Sequence, residues 1–596
     1  MKKRLLAAVL ACALLSGCGS TGELPELPET AEEERIIAYV PLDDRPDNVE
    51  RVVYLAESLG YTLEMPELAD YRTALDGQPK NYDSLQCGNP WSLYTWVLDQ
   101  EAAGCDRYIL SMDQLLSGGL VNSRSMTGDE VPLPGGGTAS SSELMDSLLS
   151  ALAEDENNVV WLLDSVMRLA PTVGYQGGTL EAYNALRAYG AAGRPALPAG
   201  DLEASDVQAL YRLDSAGQPL DPAAFDLTEE QVDSYLAARS RKLALSERML
   251  HIVQCGGYEK FRVLIGIDDS SEEESIQKNE IAYLRSQLRE GDALLSGVDD
   301  LAFKAVAKLY LEEQDSLLVY PHVFVSYYGG TEDQPACAYD YQPLTEIMKE
   351  HIDFFGMKQV AAATDAEIRI LVLTQPLDTG KKEDYCNALI RDLNACRRDG
   401  TPVILIDAGN GQYGTDFHDA LTKKTELGWL LSYAGFLDMA IVTGTALSHG
   451  VARYAFLQSG QQTVATEQAF AKTLADSILK DFCYKNVVRE DLLTYIRGDL
   501  GGDPNNFWVP DIDREAVLDR LETGMTKATK EVLENLERSN YISALPPREA
   551  YAERGWGSVK LSNYRFPWDR AFEISMDIQV GEPTAPHKSF LGIYYR

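Results

Sequence analysis

Short apolar segments rich in Val, Ile, Leu and Tyr recur along the sequence, and stretches with the spacing of helices separate them. The predicted strands are residues 36–40, 107–111, 158–163, 261–267, 292–298, 317–328, 367–373, 402–406 and 438–442. Their hydrophobicity is continuous rather than alternating, which is typical of strands buried on both faces. The pattern therefore predicts an α/β fold with a mostly parallel sheet and helical crossovers.

Two architectures fit this pattern. We expect a (β/α)8-barrel-like catalytic domain, for which nine segments are one too many, so that one is wrong or belongs to an added edge. The alternative is an open, doubly wound parallel sheet in two halves. The barrel-like domain would span residues 35–464 and carry a helical insertion at about residues 178–250. A smaller C-terminal domain of helices with a short β tail would occupy residues 465–596.

The first residues have the pattern of an export signal. Basic residues at positions 2–4 precede an apolar segment that is too short to cross a bilayer. The tetrapeptide LSGC at residues 15–18 resembles a bacterial lipobox, which implies removal of residues 1–17 and lipidation of Cys18. Residues 18–34 are acidic and contain prolines, as a tether would. We therefore expect an extracytoplasmic protein that is held at a membrane face by a lipid anchor on Cys18.

The charge and the histidines argue against several classes of function. The formal net charge is −39, and we find no clusters of Lys and Arg, so nucleic acid is not an expected partner. The six histidines are scattered without metal-ligand spacing, and neither a P-loop nor a GxSxG motif occurs. The sequence thus predicts no cofactor and no zinc site, although a hard cation among the acidic residues stays open.

Acidic residues follow most of the predicted strands, where parallel α/β folds bind their ligands. These residues and their basic or amide neighbours are Asp43, Asp44, Arg45, Asp113, Asp164, Arg168, Asp268, Asp269, Asp299, Asp300, Asp407 and Asn410. A single aspartate at such a place is equally well explained as a turn or helix cap. Their recurrence, however, predicts carboxylates crowded at one rim, where some pKa values rise while neighbouring carboxylates stay ionised.

The sharpest candidate is the stretch RVLIGIDD, in which a buried strand ends in Asp268 and Asp269. The pair resembles the Asp-Asp pair of some substrate-assisted retaining N-acetylhexosaminidases, in which one acid orients the acetamido group and the other protonates the leaving oxygen. We therefore expect Asp268 and Asp269 to be the catalytic pair. The expected substrate-binding residues are Asp43, Asp44, Arg45, Asp113, Arg124, Arg168, Asp407 and Asn410. The arginines could serve to balance the charge of the neighbouring acids by ion pairing. They could equally form a bidentate contact with a carboxylate or phosphate of the substrate.

Several motifs together resemble one bacterial family. They are PLDDRPDN (41–48), DQLLSGGLVNSR (113–124), SVMR (165–168), GIDD (266–269), DAGNGQYGTD (407–416), YAGFLDMAIVTGTAL (433–447) and FPWDRAFEI (566–574). On these residues the chain resembles domain-of-unknown-function family 4127 over nearly its whole mature length. It departs from the family pattern after Tyr433, where Phe436 and Leu437 replace a Trp-Asn pair. The resemblance implies one continuous unit and brings no settled activity.

Three functions stay open from the sequence. The first is a lipid-anchored glycoside hydrolase that acts on a glycan through paired carboxylates, with a substrate-assisted N-acetylhexosaminidase as one form of it. The second is a non-catalytic lipoprotein that binds a glycan or a cell-wall fragment. The third is a metal-dependent phosphoesterase or deacetylase that uses the acidic residues as ligands. A carbohydrate is the expected partner in the first two.

Overall fold

A computed structural model describes residues 27–29, 34–81, 84–271, 275–314, 316–335, 339–436, 438–545 and 552–587. The predicted signal peptide and Cys18 lie outside the described residues. None of the helices in these ranges combines the length and the apolar character that a membrane span requires.

The strands are numbered β1 to β17 in chain order. They are Arg35–Val40, Tyr61–Glu64, Arg107–Ser111, Glu130–Pro132, Thr138–Ser140, Val159–Val166, Phe261–Ile267, Ala293–Ser296, His322–Tyr328, Lys358–Gln359, Ile368–Thr374, Val403–Ala408, Ser432–Gly435, Asn540–Ala544, Ala552–Gly555, Val559–Arg565 and Ser575–Val580. One parallel sheet has six strands in the order β2-β1-β3-β6-β7-β8, and a second has five in the order β10-β9-β11-β12-β13. The pairs β4/β5, β14/β15 and β16/β17 are antiparallel.

The α-helices are numbered α1 to α18 in chain order. They are Glu50–Ser58, Leu68–Tyr71, Pro90–Ala103, Met112–Ser117, Leu120–Ser123, Ser141–Leu152, Leu180–Ala191, Ala204–Gln208, Glu229–Val253, Ile276–Gln287, Leu301–Glu312, Leu344–Phe354, Lys382–Asp399, Asp416–Lys424, Met439–Ser459, Val464–Ser477, Arg489–Gly498 and Arg514–Arg538. A π-helix, Ile478–Val488, joins α16 to α17. Short 3₁₀ helices cover Pro222–Phe225, Leu317–Val319, Ala363–Asp365, Thr379–Lys381, Leu427–Trp429 and Pro567–Asp569.

Both parallel sheets have the same winding. In each, the second strand lies outside the first, and the later strands add on the other side. The direction of winding therefore reverses between β1 and β3 in the first sheet and between β9 and β11 in the second. Open α/β sheets bind their ligands at the carboxyl ends of the strands beside such a reversal.

The prediction of an α/β fold with parallel strands is confirmed, whereas the closed eight-stranded barrel is not. Within the described ranges, β2 and β8 are the edges of the first sheet, and β10 and β13 are the edges of the second. The arrangement is therefore two separate open parallel sheets, where the alternative had one open sheet in two halves. The hydrophobic pattern could not distinguish a barrel from an open sheet. In both architectures the strands are covered on both faces, so their sequences are continuous apolar segments.

Eight of the nine predicted segments contain a strand of one of the two sheets. The prediction for residues 438–442 is wrong, because these residues begin helix α15, and the neighbouring strand β13 was missed. Nearly every residue of α15 is buried. Its first residues are therefore apolar on all sides and lack the polar face by which a helix is recognised in a sequence. A short apolar run of this kind does not distinguish a buried helix from a buried strand.

The remaining segments pack against these sheets. Helices α7 to α9 lie in the crossover between β6 and β7, where the insertion at about 178–250 was predicted. Helix α16 packs along α1, and one hydrophobic cluster includes residues of both sheets and of the C-terminal helices. The division into a separate domain from residue 465 stays a prediction, and residue 465 lies within helix α16.

Candidate active site

The turn after β1 is built around the buried carboxylate of Asp43. Its Oδ1 accepts hydrogen bonds from the Arg45 backbone N–H (3.0 Å) and from Asn48 Nδ2 (2.9 Å). Its Oδ2 accepts one from Arg45 Nε (2.9 Å). An aspartate that bonds to the backbone two residues ahead is a common turn device. Here it also fixes the direction of the Arg45 side chain.

Arg45 is held at its other edge by Asp299, which follows β8 at the far edge of the first sheet. Its Nη1 donates to Asp299 Oδ2 (3.0 Å), and its Nη2 donates to Asp299 Oδ1 (2.5 Å). Burial disfavours the charged guanidinium, but Asp299 and Asp43 more than offset this and hold the pKa of Arg45 above its ordinary value. The two strand ends are thus joined by a bidentate, charge-assisted contact.

Asp44 points to the C-terminal part of the chain. Its Oδ1 accepts hydrogen bonds from Trp568 Nε1 (2.7 Å) and from the Thr73 backbone N–H (3.1 Å). Burial raises the pKa of Asp44 to about 6, although these hydrogen bonds oppose the rise. The FPWDRAFEI motif therefore contacts the PLDDRPDN turn through the hydrogen bond from Trp568 to Asp44.

Trp568 and Asp569 have positive φ angles of 55° and 41°. Residues other than glycine rarely adopt this left-handed region, and such strain occurs most often at functional sites. The guanidinium carbons of Arg45 and Arg570 lie 5.1 and 4.5 Å from the centre of the Trp568 ring. The strained backbone thus places an aromatic ring in contact with two arginines.

Asp268 and Asp269, at the end of β7, differ in their surroundings. Asp268 is buried, and its Oδ2 accepts hydrogen bonds from Arg124 Nε (3.0 Å) and Nη2 (2.5 Å), while its Oδ1 accepts one from the Asp269 N–H. The Asp269 side chain is 26% exposed and pairs with Arg168 Nη1 at 3.0 Å. Burial and the charge of Asp268 raise the pKa of Asp269 despite the two arginines.

A small cleft, with a volume of about 30 Å³, lies beside this pair. Its walls come from the ends of β7 and β8 and from the start of α15, so that both sheets contribute. The Ser270 N–H donates to the Tyr339 carbonyl (3.0 Å), which ties one wall to the segment after β9. The lining residues include Asp268, Asp269, Ser270, Gly297, Asp299, Tyr339, Asp340, Asp438 and Ala440.

One protein family matches most of the chain. The family described as "Protein of unknown function (DUF4127)" matches residues 37–577. The chain belongs to this family. No curated protein and no solved structure matches the chain. The family match begins in β1 and ends in β17, so the DUF4127 region includes both sheets and the segment that carries Trp568.

The site residues predicted from the DUF4127 sequence fall into two groups. Those that line the cleft or support its walls are Asp43, Asp44, Arg45, Arg124, Arg168, Asp268 and Asp269. Asp113 is buried instead in an ion pair with Lys242 Nζ (2.7 Å), and it accepts a hydrogen bond from Ser165. The same lysine also pairs with Asp164.

Asp407 and Asn410 lie at the end of β12, in the second sheet. Asp407 is buried, with its Oδ2 3.1 Å from His418 Nε2 and its Oδ1 accepting from the Gly409 N–H at 3.1 Å. Asn410 is half-buried and adopts a positive φ of 46° in the turn that follows. Asp407 thus has a hydrogen-bonding partner of its own, His418 on helix α14, away from the cleft.

Sequence reasoning missed the roles of Lys242, His418, Trp568 and Arg570. Trp568 and Arg570 lie in FPWDRAFEI, which was noted for family resemblance but not linked to the site. Trp568 contacts Asp44 across 524 residues, and no local pattern encodes such a contact. In the part of the chain that the structure describes, no three His, Cys, Asp or Glu side chains converge as metal ligands would.

Proposed function

We propose that this DUF4127 protein is a glycoside hydrolase in which Asp269 is the general acid. The observation that supports this most is the contrast between the two adjacent aspartates at the end of β7. Asp268 is buried beneath Arg124, whereas Asp269, which pairs with Arg168, is partly exposed at the cleft and has a raised pKa. A partly exposed carboxyl group with a raised pKa is the usual general acid in such enzymes.

Each group then has a role in the reaction. Asp269 donates its proton to the glycosidic oxygen as the bond from that oxygen to the anomeric carbon breaks. Asp268, which Arg124 holds in place, orients the substrate, as the acetamido-orienting acid does in substrate-assisted enzymes. Water then adds its hydroxyl to the anomeric carbon and returns a proton to Asp269. General acid assistance of this kind contributes about 10² to 10⁴-fold to the rate.

Asp299 supplies the third carboxylate of the cleft. Its bidentate contact with Arg45 fixes the position of the carboxylate, and its negative charge contributes to the raised pKa of Asp269. An ionised carboxylate in this place would stabilise the positive charge that develops on the sugar ring in the transition state. Arg45 and Arg168 hold Asp299 and Asp269 in fixed positions before the substrate arrives.

A non-catalytic glycan-binding protein is the second candidate. It is favoured by the pairing of Arg124, Arg168 and Arg45 with carboxylates, which makes a preorganised polar surface for sugar hydroxyl groups. Both candidates use the same cleft, and they differ in whether a bond is cleaved.

A panel of oligosaccharides, followed by mass spectrometry of the products, separates the two. Cleavage of at least one glycan supports the hydrolase. Thermal stabilisation by a glycan, with no product after long incubation, supports the binding protein. If no glycan is cleaved and none stabilises the protein, both proposals are wrong.

We also propose that the protein acts outside the cytoplasm, anchored by lipid on Cys18. The support is the basic and apolar start of the chain and the LSGC tetrapeptide. Metabolic labelling with a fatty-acid analogue should mark the wild-type protein but not Cys18→Ser, and the variant should leave the membrane fraction. Equal labelling of both proteins, or of neither, would contradict the anchor.

A further inference from the structure

Phe572, four residues after Trp568, carries an aromatic ring that is 40% exposed. Three cationic groups surround it: Arg570 Cζ at 5.1 Å, Lys485 Nζ at 5.6 Å and Arg489 Cζ at 5.8 Å from the ring centre. Cations at this range are attracted to the face of an aromatic ring. In a chain with a net charge of −39, three of them are gathered at one exposed ring.

These cations come from two separate segments of the chain. Lys485 lies in the π-helix, and Arg489 begins helix α17 four residues later, while Arg570 and Phe572 belong to the strained C-terminal motif. π-helical segments are rare and occur frequently at functional sites. Two uncommon backbone features thus meet at this ring.

Each of the three cations has an unused hydrogen-bond donor. In the described part of the chain, no acceptor bonds to Lys485 Nζ, Arg489 Nε or Arg570 Nε, and all three atoms are buried. Lys485 is only 4% exposed. A buried donor without a partner is destabilising, and three of them around one ring therefore need an explanation.

The carboxylates nearby leave these donors unsatisfied. Asp481 Oδ1 is 3.9 Å from Lys485 Nζ and is already bound by Arg51 Nη2 at 2.7 Å. Glu490 is 3.8 Å from Arg489, but its side chain is 75% exposed. Glu573 accepts from Arg570 Nη2 at 2.9 Å, and its second oxygen has no partner within the described residues.

The cluster adjoins the candidate active site. The Trp568 ring is contacted by Arg570 from the cluster and by Arg45 from the turn after β1. Arg45 in turn pairs with Asp299, and the charge of Glu573 acts on Arg45. The buried Trp568 ring thus links the arginine of the turn after β1 to the exposed ring of Phe572 through Arg570.

We propose that Phe572, Lys485, Arg489 and Arg570 form a subsite for a carboxylated sugar, such as a uronic acid, of the glycan that the protein recognises. The apolar face of the sugar ring stacks on Phe572, as aromatic side chains stack on flat apolar faces. The sugar carboxylate accepts from the side chains of Arg489 and Arg570, which are 23% and 16% exposed. Lys485 contributes its charge from beneath. The inference rests on the proposed function only in taking a glycan as the ligand.

Titration calorimetry on the Asp269→Asn protein tests this without turnover. The probes are a uronic-acid oligosaccharide, its neutral hexose counterpart and inorganic phosphate. We expect the acidic oligosaccharide to bind at least about tenfold more tightly than the neutral one. Arg489→Gln should weaken the acidic probe by about 10- to 100-fold, the range for one charge-assisted hydrogen bond, and leave the neutral probe unchanged.

Two further variants separate a subsite from a general charge effect. Phe572→Ala should weaken both oligosaccharides, because both lose the stacking surface. Arg212→Gln removes an arginine whose partners, Glu229 and Asp233, are exposed on the insertion, and it should change neither. A thermal melt of each variant establishes that it is folded.

Equal affinity for the acidic and neutral probes, or unchanged acidic binding in Arg489→Gln, would overturn the inference. So would phosphate that binds as tightly as the acidic sugar, since the ring would then contribute nothing. If the acidic oligosaccharide binds and its affinity depends on Arg489 and Phe572, but the wild type cleaves no glycan, the subsite is supported and the hydrolase is rejected. Cleavage of the uronic-acid oligosaccharide with a KM that Arg489→Gln does not change would leave the hydrolase and reject the subsite.

Discussion

Arg45 and Asp299 form a bidentate ion pair that joins the loop after β1 to the loop after β8. In the sheet, three strands separate β1 from β8. The contact therefore spans the carboxyl edge of the first sheet and holds one wall of the cleft. Because Arg45 also holds the fully buried carboxylate of Asp43, its loss would leave that carboxylate without its cation.

We expect Arg45→Gln to lower the free energy of unfolding by about 3 to 5 kcal/mol, the range for removing one partner of a buried ion pair. Asp299→Asn should cost less, because the Asp299 side chain is 20% exposed. Urea denaturation at neutral pH measures both, with Arg212→Gln as the surface control. Similar losses in Arg45→Gln and Arg212→Gln would show that the pair does not stabilise the fold.

The raised pKa of Asp44 makes stability depend on pH. The native pKa of about 6 lies above the ordinary value of 3.8, so the native state holds the proton more tightly than the unfolded state. The contribution of Asp44 to stability should therefore fall as pH rises from about 4 to about 6. Asp44→Asn keeps an acceptor oxygen for Trp568 and Thr73 but does not titrate.

The advantage of Asp44→Asn over the wild type should therefore grow between pH 4 and pH 6 and stay constant above pH 6. Urea denaturation at pH 4, 5, 6 and 7 gives the difference in unfolding free energy at each point. A difference that is constant over this range would mean that Asp44 does not titrate there.

Helix α15 packs tightly against the N-terminal end of α11 at Gly444. A Cβ atom there would lie 1.8 Å from Asp300 Oδ2 and 2.4 Å from Lys304 Cε. We expect Gly444→Ala to lower the free energy of unfolding by about 1 to 3 kcal/mol through overpacking. Gly498, at the end of helix α17, has no atom within 4 Å of the same position. Gly498→Ala should therefore stabilise by about 0.4 to 1 kcal/mol. Changes of the same sign in the two variants would contradict this packing.

Much of the fold could be predicted from the sequence, because continuous apolar segments indicate strands that are covered on both faces. Strand β7 was predicted from its first residue, Phe261, to its last, Ile267. The edge strands β2 and β10 were missed, since they are only four and two residues long and are partly exposed. Because they set the point at which each sheet reverses, the open architecture could not be derived without them.

Only those residues of the candidate site that follow a strand could be predicted from the sequence. Asp43 to Arg45 and the pair Asp268 and Asp269 follow strands that the sequence marked clearly. Their pairing with arginines, and the difference between Asp268 and Asp269, depend on side-chain contacts between distant segments. Asp113 also follows a strand, but its position did not predict its environment, because its buried partner Lys242 comes from the crossover between β6 and β7.

Asp113 was predicted from its position to bind substrate, and its burial beside Lys242 leads to a different expectation. Lys242→Met would leave the buried carboxylates of Asp113 and Asp164 without their cation, so it should cost about 3 to 5 kcal/mol in unfolding free energy. Asp113→Asn should cost less and leave the KM for a cleaved glycan unchanged. An increase in KM without loss of stability would restore Asp113 as a binding residue.

The central claim, that Asp269 is the general acid of a glycoside hydrolase, is tested most directly by the turnover of Asp269→Asn on a glycan that the wild type cleaves. We predict a fall in kcat of about 10² to 10⁴-fold with an unchanged melting temperature. Asp519→Asn, an exposed aspartate on helix α18, should keep wild-type kcat as the matched control. Wild-type turnover in a folded Asp269→Asn protein would contradict the account.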